Sequence, residues 1–253
     1  VLRARGRIEH LYLKPARGQP LVTLAPQVPM LGQAGLGILG DAHAHRLSPR
    51  QILLTLDAQL HALQVAPGVL GENMVISCEQ PALFRPGSAI VSASGVEIRL
   101  TMFCEPCKRI AHVEKHLSRL LHRRGVLGVF ETGGELKAGD ALTVIGGRYC
   151  PLPESPYQKF LDFVATIPAG RVVRYIDVAI AIGVADGFVR ALPGYIRRSL
   201  GLALPLHRIV NARGELLPFI PGQAGKLQAE GVIHRDDAAP VDLARCLWQG
   251  EAV

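Results

Sequence analysis

No apolar run among the 253 residues approaches the roughly 18–20 needed to cross a bilayer, so a membrane-spanning protein is excluded and no membrane partner is expected. The opening residues, Val1-Leu2-Arg3-Ala4-Arg5-Gly6, carry charge but not the long apolar stretch of a signal peptide, which makes the cytoplasm the expected location. Cysteines are few and odd in number, five, with only Cys104 and Cys107 close together. That excludes a disulfide framework, and a single Cys-x-x-Cys with no second pair or nearby ligand histidines gives little support to structural zinc. There is no internal repeat and no low-complexity segment, so a repeat array is excluded as well. What remains is the composition of an ordinary globular protein, 49% hydrophobic and 19% charged, long enough for one large or two modest domains.

Acidic residues are outnumbered 21 to 28, giving a net charge of +7 and a pI near 9.4. The placement of this charge says more than its total. Residues 171–213 carry Arg171, Arg174, Arg190, Arg197, Arg198, Arg208 and Arg213 against only Asp177 and Asp186, and the stretch beyond is net acidic. Such a stripe suits contact with a phosphate backbone, although a solvated charged face would look the same.

The two halves differ in pattern. Ile8–Leu13, Leu21–Leu24, Ser88–Ser92, Val96–Thr101 and Ala141–Ile145 are short apolar or β-branched runs bounded by turn residues, as in a β-rich barrel. Helical spacing predicts helices over 49–63, with Ser48 as N-cap, and over 110–123. Three prolines within 151–156 mark a linker over 150–156, separating a domain over 1–149 from one over 157–253. Helices are expected beyond it over 157–166, 175–182 and 186–200, the last two forming a helix-turn-helix after a strand-like 171–174.

Four words in the second half are specific when taken in order. They are Ile167-Pro168-Ala169-Gly170-Arg171-Val172-Val173-Arg174-Tyr175; Phe188-Val189-Arg190-Ala191-Leu192; Pro205-Leu206-His207-Arg208-Ile209-Val210 with Gly214-Glu215-Leu216; and Leu227-Gln228-Ala229-Glu230-Gly231-Val232. Residues 156–232 thereby resemble the DNA-binding domain of O6-alkylguanine-DNA alkyltransferases. The resemblance implies base flipping: an arginine at the Arg190 position fills the stack and a tyrosine at the Tyr175 position turns the 3′ phosphate. Arg197, Arg198 and Arg208 are further expected DNA contacts, and Leu206, His207, Ile209, Phe219 and Glu230 the expected lesion pocket. Read without the resemblance, Arg190 is a surface arginine and Tyr175 a core residue with a free hydroxyl. Small residues on the recognition helix let family members lie in the minor groove, whereas this helix carries Pro193 and Tyr195. Leucine also stands at position 206, where the family has its alkyl-accepting cysteine. Alkyl transfer through this site is therefore excluded, and the pattern is that of alkyltransferase-like proteins, which bind alkylated guanines and recruit other repair proteins.

The first half carries Gly37-Ile38-Leu39-Gly40-Asp41-Ala42-His43, Pro67-Gly68-Val69-Leu70-Gly71-Glu72-Asn73, Arg99-Leu100-Thr101-Met102-Phe103-Cys104-Glu105-Pro106-Cys107-Lys108-Arg109-Ile110 and Arg124-Gly125-Val126-Leu127-Gly128-Val129-Phe130-Glu131. Residues 3–146 resemble the MOSC domain, the β-barrel found at the C-terminus of molybdenum cofactor sulfurases. The resemblance makes Cys107 the catalytic residue, a sulfur carrier or a ligand to the molybdenum of a molybdopterin cofactor. Asp41, His43, Glu72, Asn73, Arg99, Lys108 and Arg109 are then the expected cofactor-binding residues. Locally, cations beside Cys107 and the start of the expected 110–123 helix would lower its thiol pKa. A redox pair of Cys104 with Cys107 stays open, as does a plain loop role for His43 and His45.

The expected fold is thus α+β multidomain: a MOSC-type β-barrel followed by a small helical, winged helix-turn-helix-like domain. The expected partner is double-stranded DNA with modified bases. Three functions stay open: a lesion reader joined to a MOSC enzyme acting on modified bases, a non-catalytic damage sensor, and a small-molecule MOSC sulfur-transfer or reductase enzyme with a degenerate appendage.

Overall fold

The computed structural model describes residues 2–107, 110–111, 113–114, 116–233 and 240–250. The chain divides into two compact units between Leu152 and Pro153. Among the described residues no helix is long and apolar enough to cross a membrane.

The first unit runs β1 (Arg3–Leu13), β2 (Val22–Thr23), β3 (Met30–Gln33), β4 (Gly37–Ile38), β5 (Ile52–Leu56), α1 (Asp57–Leu63), β6 (Met74–Cys78), β7 (Ala89–Ser92), β8 (Glu97–Phe103), β9 (Val126–Thr132), β10 (Gly134–Leu136) and β11 (Ala141–Ile145). The main sheet has the order β11-β7-β8-β9-β5-β6-β1, and β1 pairs again with β11, so seven strands close into a barrel. All its pairings are antiparallel except β5 with β6. Closure removes the exposed edges that an open sheet would present. Ile8, Leu54, Ile76, Ile98, Phe130 and Val144 fill the interior. Gly32 of β3 lies directly against the Phe130 ring, where any Cβ would collide, so this position requires glycine.

Two expected helices fail here, each for a packing reason. Residues 52–56 form β5, and the helix covers only Asp57–Leu63. All five β5 residues are buried, with Ile52 and Leu54 facing the barrel interior and Leu53 packing with Cys104 and Leu127 on the other side. A strand buried on both faces reads as a continuous apolar run, which sequence spacing alone cannot distinguish from a helix. Ser48 caps a turn instead, its hydroxyl accepting from the Arg50 N–H at 3.1 Å. Over 110–123 the described residues contain only a 3-10 turn at Leu117–Leu120, and His122 is left-handed at φ 58°. Val113 packs against Tyr12, Leu60, Leu70 and Val75 and Leu120 is buried, but Leu121 is exposed, so the expected apolar residues do not share one buried helical face.

The second unit runs α2 (Pro156–Thr166), β12 (Val173–Arg174), α3 (Tyr175–Ala181), α4 (Leu192–Ser199), β13 (Ile209–Val210), α5 (Gln223–Ala229) and α6 (Leu243–Cys246). Ser155 caps α2 with Pro156 at its first position, a favoured arrangement because proline lacks the N–H that would be unsatisfied there. Phe160 and Val164 of α2 are fully buried with Val178, Ile182, Leu192, Ile196 and Ile209. The expected helix over 186–200 is broken: Asp186–Arg190 is a 3-10 turn and α4 begins at Leu192, since Pro193 fits only in a first helical turn. β12 and β13 pair in parallel, Val173 with Ile209 and Arg174 with Val210. That pairing sets the Tyr175 word beside the His207 word, although they lie far apart in sequence.

Candidate nucleic-acid interface and thiol site

In the second unit, the segment after Pro205 is a 3-10 turn, Leu206–Arg208, leading into β13. It directs His207 and Arg208 toward Glu230 at the end of α5. His207 Nε2 lies 2.8 Å from Glu230 Oε1, and Arg208 donates through Nε at 3.0 and 3.1 Å and through Nη2 at 2.6 Å. The Gly170 N–H adds a bond at 3.1 Å. Burial alone would raise the Glu230 pKa, but the bonds from Arg208, His207 and Gly170 outweigh it and hold the carboxyl at about 2. A carboxylate can only accept, so the proton in the His207–Glu230 bond sits on Nε2.

Arg208 also donates to the Ile167 carbonyl. With its guanidinium committed to Glu230 and Ile167, it buttresses the site and is not free for the expected phosphate contact. Ile209, expected in the lesion pocket, is fully buried in the core on β13. Leu206 is 4% exposed and packs in that same core. Gln223, which the sequence did not single out, ties the region together. Its amide donates to the His207 and Ile209 carbonyls at 3.0 and 2.8 Å and accepts from the Leu217 N–H at 2.6 Å. No local pattern marks this residue, because all three partners are backbone groups brought close only by folding.

The other expected DNA contacts face solvent. Arg190 is exposed at the end of its 3-10 turn. Tyr175 is half-buried at the start of α3; burial pushes its phenol pKa up, against the charge of nearby Arg197. Arg197 is exposed and lies over the Phe219 ring at 4.3 Å, so Tyr175, Arg197 and Phe219 gather in one place. Arg198 is exposed over the Tyr157 ring at 4.0 Å.

In the first unit, Asp41, His43, Glu72 and Asn73 come together around β1 and β5. Asp41 accepts from the Lys14 and His43 N–H groups, the His43 ring and Asn73 Nδ2, at 2.8–3.0 Å. Burial would raise its pKa, and the His43 and Lys14 bonds bring it below the ordinary value. Asn73 also accepts from the Leu53 N–H and donates weakly to the Tyr12 carbonyl. Glu72 is fully buried; one oxygen accepts from the Gly68 N–H at 2.6 Å and the other, Oε2, has no hydrogen-bond partner among the described residues. Burial raises its pKa despite backbone bonds and the charge of Arg124. Gly68 itself is left-handed at φ 90°, against the Tyr12 ring.

Cys107 is half-buried, and Arg124 Nη1 lies 3.3 Å from its sulfur. Arg124 is itself buried, bonded to the Leu70 and Glu105 carbonyls, so it braces the thiol and is not an open phosphate grip. Arg124 supplies a charge beside Cys107, and the described residues over 110–123 form no α-helix whose start could add to it. Cys104 is buried with its thiol pKa pushed up by desolvation, and neither cysteine forms a disulfide among the described residues. Arg99 pairs with Glu131 at 2.8 Å and stacks on Tyr149. Lys108 and Arg109 lie outside the described residues.

These contacts test the fit of a molybdenum–pterin group. Cys107 suits a thiolate ligand. Asp41 and Asn73 do not suit pterin recognition, because their polar atoms are already satisfied by one another and by backbone. Arg99 is likewise committed to Glu131. Two buried side-chain atoms of this expected set have no hydrogen bond among the described residues, Glu72 Oε2 and Arg99 Nε, the latter ion-paired with Glu131.

Residues 155–232 match the family described as "6-O-methylguanine DNA methyltransferase, DNA binding domain", and residues 38–143 match the MOSC domain. The chain belongs to the first family through its C-terminal unit, and it joins that unit to a MOSC domain. A DNA base-flipping protein of Escherichia coli (strain K12) is 36% identical over 95 residues, which cover 36% of this chain and 72% of that protein. The YuaD protein of Bacillus subtilis shares the fold of 57% of this chain and 98% of its own, at 21% identity and a TM-score of 0.50. S. pombe Atl1, solved with damaged DNA containing O6-carboxymethylguanine, is 24% identical over 38% of this chain and 97% of its own, with a TM-score of 0.34.

Proposed function

We propose that the C-terminal unit recognises a modified base of the O6-alkylguanine class in double-stranded DNA by flipping it, without accepting the alkyl group. One observation carries this reading: Leu206 stands in the nucleophile's place while the surrounding apparatus is kept, with Glu230 held by His207, Arg208 and Gly170, and Arg190 exposed at the protein surface. A repair site that had merely decayed would have no reason to keep a buttressed carboxylate beside an absent thiol. The base-flipping relative supports the same reading. Such a reader acts in cytoplasmic DNA repair by marking lesions for other repair proteins.

The MOSC unit, in this reading, contributes chemistry through Cys107, as sulfur carrier or as molybdenum ligand. The support is the Arg124 cation held 3.3 Å from the sulfur. The test of the DNA reading is a gel shift at fixed salt comparing a duplex containing O6-methylguanine with the unmodified duplex. Preference for the modified duplex with no mass increase of the protein is expected; equal binding, or a protein heavier by one methyl group, overturns it. Molybdenum and pterin analysis of the purified full chain separates the two roles of Cys107.

A further inference from the structure

Tyr195 breaks the small-residue pattern of the recognition helix, and its packing shows what it does there. Its ring meets Tyr157, Phe160 and Phe188 edge-on, at 5.1, 5.7 and 5.6 Å between centroids. Phe188 belongs to the 3-10 turn that ends in Arg190. Tyr157 carries the Arg198 guanidinium over its face at 4.0 Å, and its hydroxyl lies 2.9 Å from Ser199 Oγ. Ser199, fully buried, also bonds to the Tyr195 carbonyl at 2.9 Å. A continuous aromatic path therefore runs from the Arg190 turn through Tyr195 to the seat of Arg198.

The arginine stripe sorts by partner. Arg174 is paired with Asp177, Arg208 with Glu230, and Arg171 is bonded to the Arg245 carbonyl. Arg198 has no anionic partner among the described residues. Its π-face is taken by Tyr157, which leaves the guanidinium edge with its N–H donors for a ligand, and a planar fork of this kind matches a phosphate. An arginine already laid on a ring has lost part of the rotamer freedom that gripping a ligand would otherwise cost.

We propose that Arg198 is a contact to a DNA backbone phosphate outside the base pocket, and that Tyr157, on whose ring it is seated, is the residue that positions it. The proposal rests on the DNA-binding reading above. A phosphate contact carries no base information, so it serves modified and plain duplex alike.

The test titrates full-length protein against a fluorescent O6-methylguanine duplex and its plain counterpart, from low to physiological salt. Arg198→Ala is expected to make the slope of log K against log salt shallower by about 0.9, the release of one phosphate's counterions, equally on both duplexes. Tyr157→Leu keeps the charge but removes its seat, so the slope should hold while affinity falls about threefold, the size of an exposed cation–π contact. Tyr157→Phe keeps the ring and should bind as wild type. Emission of Trp248, the sole tryptophan, reports that each variant is folded. An unchanged slope in Arg198→Ala, in a protein that still binds in an Arg190-dependent way, overturns this proposal alone. Failure of the wild type to bind either duplex overturns the DNA-binding reading itself.

Discussion

Arg208 reaches both oxygens of Glu230, through Nε at 3.0 and 3.1 Å and Nη2 at 2.6 Å, and so does more to hold that carboxylate than His207 with its single bond. The sequence words put the two cations side by side, but the geometry gives them different work. Arg208 fixes the carboxylate, and the carboxylate fixes the tautomer of His207.

Glu230→Gln removes the charge that Arg208 was folded against. Hydrogen bonds to charged groups contribute about 1.5–3 kcal/mol, so the C-terminal unit should lose about 2–3 kcal/mol. Denaturant unfolding followed by Trp248 emission measures it; a loss below about 0.5 kcal/mol would show that the network is loosely held.

The same carboxylate sets a pH dependence. Its folded pKa of about 2 lies below the ordinary 4.5, so its contribution to stability is fully present above about pH 4.5. That contribution is lost as pH falls from 4.5 through 2. Acid titration should show the wild type weakening across this window, and the Gln variant, already weakened at neutral pH, should lack that component.

Arg190 is exposed and Tyr175 half-buried, so Arg190→Ala and Tyr175→Phe should change stability by under about 0.5 kcal/mol. Affinity for the O6-methylguanine duplex should nonetheless fall about tenfold in Arg190→Ala, because nothing then fills the space of the flipped base. Equal affinity by fluorescence anisotropy would remove Arg190 from the site.

Asn73→Ala tests whether the Asp41–Asn73 pair is a structural knot. The variant strands the buried Leu53 N–H and one lone pair of Asp41, and should cost the N-terminal unit about 2–3 kcal/mol with no cofactor added. A stable variant would return Asn73 to the list of ligand contacts.

Under native conditions, a thiol reagent should modify Cys150 and Cys107 well before Cys104 and Cys246, which are 2% and 3% exposed. Mass spectrometry of digests reads the order. Cys107→Ser should leave duplex binding unchanged.

Much of this protein is legible in its sequence because turn residues, caps and short words act locally. The Ala141–Ile145 strand lies where its β-branched run put it, and α2 lies within a residue of expectation because Ser155 and Pro156 favour its start. The missed helix over 49–63 was not legible, since whether an apolar run becomes a strand depends on β6 and β9, which flank β5 and come later in the chain.

By itself the sequence determined which two modules are joined and that position 206 carries no nucleophile, because motif words and residue identity need no third dimension. Only the tertiary structure decided which arginines of the basic stripe are free. Arg208 finds its acid 22 residues away and Arg198 finds an aromatic seat on α2, more than a helix away. Charge can be counted along a chain, but its availability depends on what folding brings within about 4 Å of it.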